Sequence, residues 1–256
     1  MIWNRARDKK IFFMTMMVFL STSFFAVPAW AKSADDLVED SIDVIREMRK
    51  QDDVGSMADL IEGAHAIAFV PSMIKAGFVI GGEYGEGLIL RKERGKWFGP
   101  SFYNLGGGSL GLQIGVQKTA FILVVNNQNG VDAFLRSRTK LGADVAVAAG
   151  PAGRRGDAAT DARLKASIYS YSMTKGLFAG ASLDGSILSI SVKRNKEYWK
   201  KNISAADALK LPARDRRILP LIREIERISQ KSGGSLTASA FRLYPTPGEG
   251  GTSCPK

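Results

Sequence analysis

The sequence predicts an α+β fold in which an antiparallel, partly closed β-sheet lies between N-terminal and C-terminal flanking helices. Twenty of the 27 glycines fall between Gly77 and Gly185. There, short apolar or alternating runs are bounded by Gly, Pro or charged residues, which is the pattern of strands and turns. Outside that region apolar residues recur at helical spacing. Within it, nearly every connection is too short for the crossover helix that a parallel sheet needs.

Ser33 followed by Asp35 and Asp36 marks a helix start, after which Leu37, Val38, Ile42, Ile45 and Met48 share one face. Ser56-Met-Ala-Asp59 has the spacing of a capping box and opens a second helix reaching Glu62. From Ala66 the period changes. Ala66 to Val70, Phe78 to Gly82, Gly87 to Arg91, Phe102 to Leu105, Leu110 to Val116 and Ala120 to Asn126 read as strands. Asn129 to Arg138 has helical spacing and Ala143 to Ala149 is a strand of small residues. Lys165 to Tyr171, Gly176 to Ala181 and Ser186 to Val192 complete the sheet. Ser204-Ala-Ala-Asp207 opens a short helix. Ile218, Leu221, Ile222, Ile225 and Ile228 then form the apolar face of a C-terminal helix, bent at Pro220. Residues 232–256 hold five glycines and three prolines and are expected to form a flexible tail.

Residues 1–31 carry the marks of an export signal. Arg5, Arg7, Lys9 and Lys10 precede an apolar stretch from Ile11 to Phe25, and Ala29-Trp30-Ala31 supplies a small-x-small cleavage pattern. Thr15, Ser21, Thr22 and Ser23 interrupt that stretch, which is shorter than the roughly 20 residues of a spanning helix. Cleavage near Ala31 is expected to leave one folded domain, residues 32–231, in the periplasm or medium of a bacterium. Four cations and Asp8 leave with the signal, so the formal charge falls from +11 to +8 and the remaining chain still attracts anionic partners. For an exported protein those are envelope lipids or polymers rather than nucleic acid. Cys254 is the only cysteine, so neither an intramolecular disulfide nor a cysteine metal site can form.

The glycine-rich region contains six motifs in succession. They are Gly77-Phe-Val-Ile-Gly-Gly-Glu-Tyr-Gly-Glu-Gly87, Trp97-Phe-Gly-Pro-Ser-Phe102, Gly106-Gly-Gly-Ser-Leu-Gly-Leu-Gln-Ile-Gly115, Leu141-Gly-Ala-Asp144, Ala149-Gly-Pro-Ala-Gly-Arg154 and Tyr169-Ser-Tyr-Ser-Met-Thr-Lys-Gly-Leu-Phe-Ala-Gly180. In this order and spacing they resemble the SYLF domain, over residues 33–201. The resemblance implies a lipid-binding domain, known mainly for phosphoinositide and anionic-membrane binding, with actin contacts in some fungal members. For an exported bacterial chain it implies peripheral contact with anionic phospholipid or another envelope lipid, and neither phosphoinositide nor actin. An envelope structural or protein-interaction module without lipid specificity is the alternative.

Motifs that suggest catalysis fail on context. Gly106-Gly-Gly-Ser-Leu-Gly111 satisfies the dinucleotide pattern, with Asp132 placed like a ribose-binding acid, but strand-like sequence follows where a helix is required. Gly107 to Gly111 also has the form of a nucleophile elbow around Ser109, yet the single histidine, His65, precedes it, and a structural role is expected for that residue. Ser172-Met-Thr-Lys175 matches the S-x-x-K of periplasmic serine acyl-enzymes, with Lys231-Ser-Gly233 behind it. Ser72 to Lys75 and Ser137 to Lys140 match equally well, and Ser172 falls in strand sequence. Glu83 and Glu86 sit in a predicted turn with no third ligand. No catalytic residue, cofactor or metal site is therefore expected, a serine acyl-enzyme using Ser172 and Lys175 being the weakest alternative.

Two basic segments suit a membrane surface. Lys193, Arg194, Lys196, Lys200 and Lys201 surround Tyr198 and Trp199, and the predicted hairpin tip from Arg91 through Lys92, Arg94 and Lys96 ends in Trp97. Cationic heads attract anionic headgroups at about 1 kcal/mol each, and Trp suits the interface because its ring is apolar with one polar atom. Within the family the aromatic pair closes the domain, which assigns Tyr198 to the core. The acidic face of the first helix repels anionic lipid.

Overall fold

A computed structural model describes residues 32–51, 55–77, 80–110, 115–151, 166–174 and 177–240. Helices α1 (Ala34–Arg49) and α2 (Gly55–Gly63) precede the long strands β1 (Ala66–Gly77), β2 (Ile80–Glu93), β3 (Lys96–Leu110) and β4 (Gly115–Val125). Short elements follow: α3 (Gln128–Ala133), β5 (Arg138–Lys140), β6 (Val147–Ala149), β7 (Ile168–Thr174), β8 (Leu177–Gly180) and β9 (Ile187–Ile190). Then come α4 (Val192–Trp199), α5 (Ala205–Ala208) and α6 (Leu219–Ala240). The expected export signal, residues 1–31, lies outside the described residues, as do Arg154, Arg155, Lys175 and Cys254.

The helix starts follow local chemistry. Ser33 Oγ accepts from the Asp36 amide while the Asp36 carboxylate accepts from the Ser33 amide, a reciprocal cap on α1. Ser204 caps α5 through the Asp207 amide. Pro220 stands second in α6, where its missing N–H would have had no intrahelical partner, so it starts this helix instead of bending it. The helix runs on to Ala240, past the point where composition suggests a flexible tail.

The strands order as β5-β9-β3-β2-β1-β4-β7-β6, with β8 also on β7, in a sheet that curls into an open half-barrel. All pairs are antiparallel except β6 with β7. Both faces of its middle are covered. Ile67, Phe69, Leu88, Leu90, Phe102, Ile122 and Val124 pack under α1, α2 and α6, against Ile45, Met48, Ile61, Leu221 and Ile225. Ala66, Ala68, Val70, Leu105, Phe121 and Leu123 point the other way, toward Val131, Phe134, Leu141 and Leu188. This double burial is why Ala66 to Val70 and Ala120 to Val125 are continuously apolar instead of alternating.

The long strands extend further than expected. The segments Phe78 to Gly82 and Gly87 to Arg91 were expected as separate strands, but Glu83 to Glu86 between them pair with β1 and β3, so one strand runs from Ile80 to Glu93. Glycine lacks only a side chain, and its amide and carbonyl still join the ladder. The expected helix from Asn129 to Arg138 stops at Ala133, since the buried Thr139 hydroxyl donates to Ala133 O at 2.7 Å and turns the chain into β5.

Candidate functional site

The β2–β3 hairpin turns at Arg94 and Gly95, both at positive φ (50° and 73°), as a two-residue turn with the strand twist demands. Arg94 and Lys96 are exposed at its tip. The other basic side chains of this hairpin are occupied. The Lys92 ammonium donates to the last carbonyls of α2, Glu62 O at 2.8 Å and Ile61 O at 3.3 Å. Arg91 is ion-paired with Glu93 and lies over Phe98. Trp97 is only 7 % exposed and belongs to the helix-side core. It is a packing residue and cannot reach lipid.

Helix α4 divides its charges in the same way. Lys193 and Lys196 fall at i and i+3 on one exposed stripe, and the exposed Lys200, the left-handed C-cap at φ 55°, and Lys201 follow. Arg194 faces inward at 4 % exposure, donating to Glu86 (2.9 Å) and Glu197 (2.9 Å). Its position in a basic run suggested a lipid contact, but its guanidinium is consumed by the fold. Trp199 is half-buried, with Nε1 donating to Pro100 O at 3.0 Å. Tyr198 is buried against Phe102, its ring centroid 5.4 Å away, and burial raises its phenol well above the usual range.

These segments meet at the first residues of β3. Ala213 N donates to Trp97 O (3.0 Å) and Gly99 N to Leu211 O (2.9 Å), while Trp199 reaches Pro100. Trp97 and Pro100 are about 10 Å apart along a strand. Arg217 stacks on Tyr198 at 3.9 Å, donates to its carbonyl, and pairs with Asp35 and Asp215. The arginine cluster at residues 214–217, without an aromatic neighbour in sequence, thus acquires one in space. Arg214 and Arg216 remain exposed.

The charge balance of this surface is one-sided. Five of its carboxylates are matched: Asp35 and Asp215 to Arg217, Glu93 to Arg91, Glu197 to Arg194, and Asp207 to Lys210. Hydrogen bonding from Arg217 holds the Asp215 carboxyl below its ordinary range, more than offsetting partial burial. Among the described residues, Arg94, Lys96, Lys193, Lys196, Lys200, Lys201, Arg214 and Arg216 are exposed and without a carboxylate partner.

Residues 106–228 match the family model described as Ysc84, Las17-binding protein actin regulator. Residues 106–228 therefore belong to the Ysc84, or SYLF, family. An SH3 domain-containing protein of Schizosaccharomyces pombe is 39 % identical over 140 residues, covering 53 % of this chain and 33 % of the relative. LAS seventeen-binding protein 3 of Saccharomyces cerevisiae is 35 % identical over 151 residues, 57 % of this chain and 33 % of the relative. Human SH3 domain-containing YSC84-like protein 1 is 34 % identical over 158 residues, 59 % of this chain and 46 % of the relative. The chain thus spans less than half the length of these curated relatives. The family match begins inside β3, which pairs with β2 along its length, and the compact unit that holds both begins at Ser33.

The catalytic alternatives lose their geometry in this fold. Ser172 lies within β7, paired with Phe121 and Ala179, and not at a helix start. Ser109 is a strand residue, the last but one of β3, and not the first residue of a strand-to-helix turn. His65 is exposed, and its backbone closes the ladder ends, its amide donating to Val125 O and its carbonyl accepting from Lys92 N. Glu83 and Glu86 are in a strand, not a turn, and three residues apart they project to opposite faces, so they cannot share a cation. No group of three potential ligands occurs among the described residues, and no helix there is long and apolar enough to cross a membrane, which says nothing of strands.

Proposed function

We propose that this SYLF domain binds anionic lipid at a membrane surface, without catalysis, on a chain exported by its first 31 residues. The observation that carries this reading is the cluster of exposed cations without ion pairs around the start of β3, where five neighbouring carboxylates are already paired. The contact is peripheral, made by Lys193, Lys196, Lys200 and Lys201 together with Arg94 and Lys96, while Arg214 and Arg216 widen it. Each exposed cation contributes about 1 kcal/mol near an anionic surface, so four of them outweigh the loss of any single one.

Sedimentation of the purified protein with vesicles tests this. The expected result is pelleting with phosphatidylglycerol- or cardiolipin-containing vesicles that weakens steeply with salt, because exposed charges are screened within about 10 Å at 0.1 M. Charge reversal of Lys193, Lys196, Lys200 and Lys201 to glutamate should abolish the anionic preference. Pelleting that is indifferent to salt and to headgroup would overturn it.

The family description, Las17-binding protein actin regulator, names binding and regulation, which supports a binding role and favours a protein partner as the second reading. A protein contact through apolar surface would resist salt. For the enzymatic alternative, a covalent serine probe is expected to leave Ser172 unlabelled.

A further inference from the structure

We infer that the opposite end of the sheet, where β1 and β3 finish and β2 and β4 begin, enters the apolar layer of a lipid bilayer edgewise. Five large apolar residues are strongly exposed among those described: Ile74 (49 %), Tyr84 (55 %), Val116 (75 %), Leu177 (77 %) and Val192 (67 %). Apolar residues exposed singly are ordinary, whereas clustering signals contact. Four of these five cluster. Ile74 pairs with Tyr84 on one side and Lys118 on the other, and Val116 pairs with Ala76. Leu177 pairs with Thr174, whose hydroxyl lies 3.0 Å from that of Thr119 in the adjoining strand.

Register decides what kind of partner fits. Ile74, Tyr84 and Val116 continue the rows of Phe69, Leu88 and Ile122, and so stand on the helix-covered face beyond the reach of the helices. Leu177 continues the row of Phe121 and stands on the other face. A protein partner seated on one face would leave the other apolar side in water. A bilayer surrounds the end from both sides.

Charge agrees with that occupant. Glu83 is neutralised by the Lys75 ammonium at 2.8 Å and accepts from Ser186 at 2.7 Å, and Glu86 is held by Arg194. Lys118 is exposed with no carboxylate partner, placed to meet lipid phosphate. Asp184, the exposed acid at the β8–β9 turn, accepts from Ser182 and sits beside the outer strand β9. Tyr84 donates its hydroxyl to Asn104 at 3.3 Å and presents an apolar ring with a polar tip, which suits the interfacial layer.

This surface is distinct from the cationic one. Arg94 at the hairpin tip lies ten residues along the chain from Tyr84, about 33 Å, whereas Lys193 flanks Arg194, which holds Glu86 two residues from Tyr84, so charge dependence rather than distance separates the two contacts. Its test can therefore succeed or fail independently of the anionic-lipid proposal. An environment-sensitive NBD label is placed on the full chain carrying Cys254→Ser, at Val116→Cys, at Leu177→Cys or, as a control, at the exposed Ser137→Cys.

With vesicles of neutral phosphatidylcholine, at low and high salt, labels at 116 and 177 should brighten severalfold, shift to the blue and be quenched by brominated acyl chains. The label at 137 should stay aqueous. Adding Ile74→Glu should reduce the signal at 116, with the circular dichroism spectrum unchanged. If label 116 stays aqueous with both neutral and anionic vesicles, insertion is refuted, even where salt-sensitive pelleting upholds the cationic contact. Entry of 116 without 177 would mean a one-faced contact and refutes the edgewise geometry.

Discussion

Gly87→Ala is expected to destabilise the domain by about 3–5 kcal/mol, lowering the melting temperature by on the order of 10 °C. Gly87 stands in β2 opposite Tyr103 of β3. Because it has no side chain, the Tyr103 ring lies across β2 and its hydroxyl reaches Phe69 O in β1 at 3.2 Å. The β1 register shifts just beyond Phe69. A methyl on Gly87 would overlap the Phe69 carbonyl oxygen and lie 2.8 Å from Tyr103 Cζ. One of these obstacles is backbone in a central strand, which no rotamer change can move. Pushing the ring aside would also strand a fully buried phenol, which burial already holds well above its ordinary pKa.

Tyr103→Phe separates the two contributions. It removes the hydrogen bond but keeps the ring over Gly87, so about 1–2 kcal/mol of loss is expected. Urea unfolding of both variants gives the comparison. A Gly87→Ala variant as stable as the parent would mean that the strands can part at this point.

Arg194→Met should cost about 2–4 kcal/mol, and its signature is in the pH dependence. Losing one partner of a buried ion pair commonly costs about 3–5 kcal/mol. Here Glu86 and Glu197 keep 20 % and 32 % exposure, so water compensates in part. Glu197 also accepts from the Ala34 amide at 3.2 Å, so Arg194 orients the group that ties α4 to the start of α1. Partial burial opposes ionisation of Glu197, yet the hydrogen bonds from Arg194 and Ala34 prevail and lower its pKa below 4.5.

A lowered carboxyl pKa contributes stability that is complete above the unfolded value and lost as pH falls through the folded one. The parent should therefore lose stability from about pH 4.5 downward, with a steeper slope than Arg194→Met in that window. Hydrogen exchange at the first turn of α1 should accelerate in the variant at pH 7. Parallel acid profiles for the two proteins would show that Glu197 does not depend on Arg194.

Local signals were legible wherever the interacting groups lie within a few residues. Ser33 with Asp36, Ser204 with Asp207, and Arg94 with Gly95 each form their caps and turn inside one short segment. The six glycine motifs likewise carry the SYLF family in their spacing. Less was legible in the cationic surface. Lys193, Arg194 and Lys196 are neighbours in sequence, but only Arg194 meets a carboxylate 108 residues away. Trp97 and Trp199 look alike as interfacial residues, yet one is core and the other is bonded to Pro100 O.

By itself, then, the sequence determined the antiparallel character of most of the sheet, the capped starts of α1 and α5, the net charge, the family and most of the element types, though neither the strand through Glu83 to Glu86 nor the helix α4. All follow from short-range periodicity, backbone freedom at glycine and spacing. Only the tertiary structure decided which cations remain free, that Glu83 and Glu86 face apart, and that Ile74, Tyr84, Val116 and Leu177 gather at one end. Those outcomes depend on register between strands distant in sequence, where a shift of one residue moves every side chain to the other face.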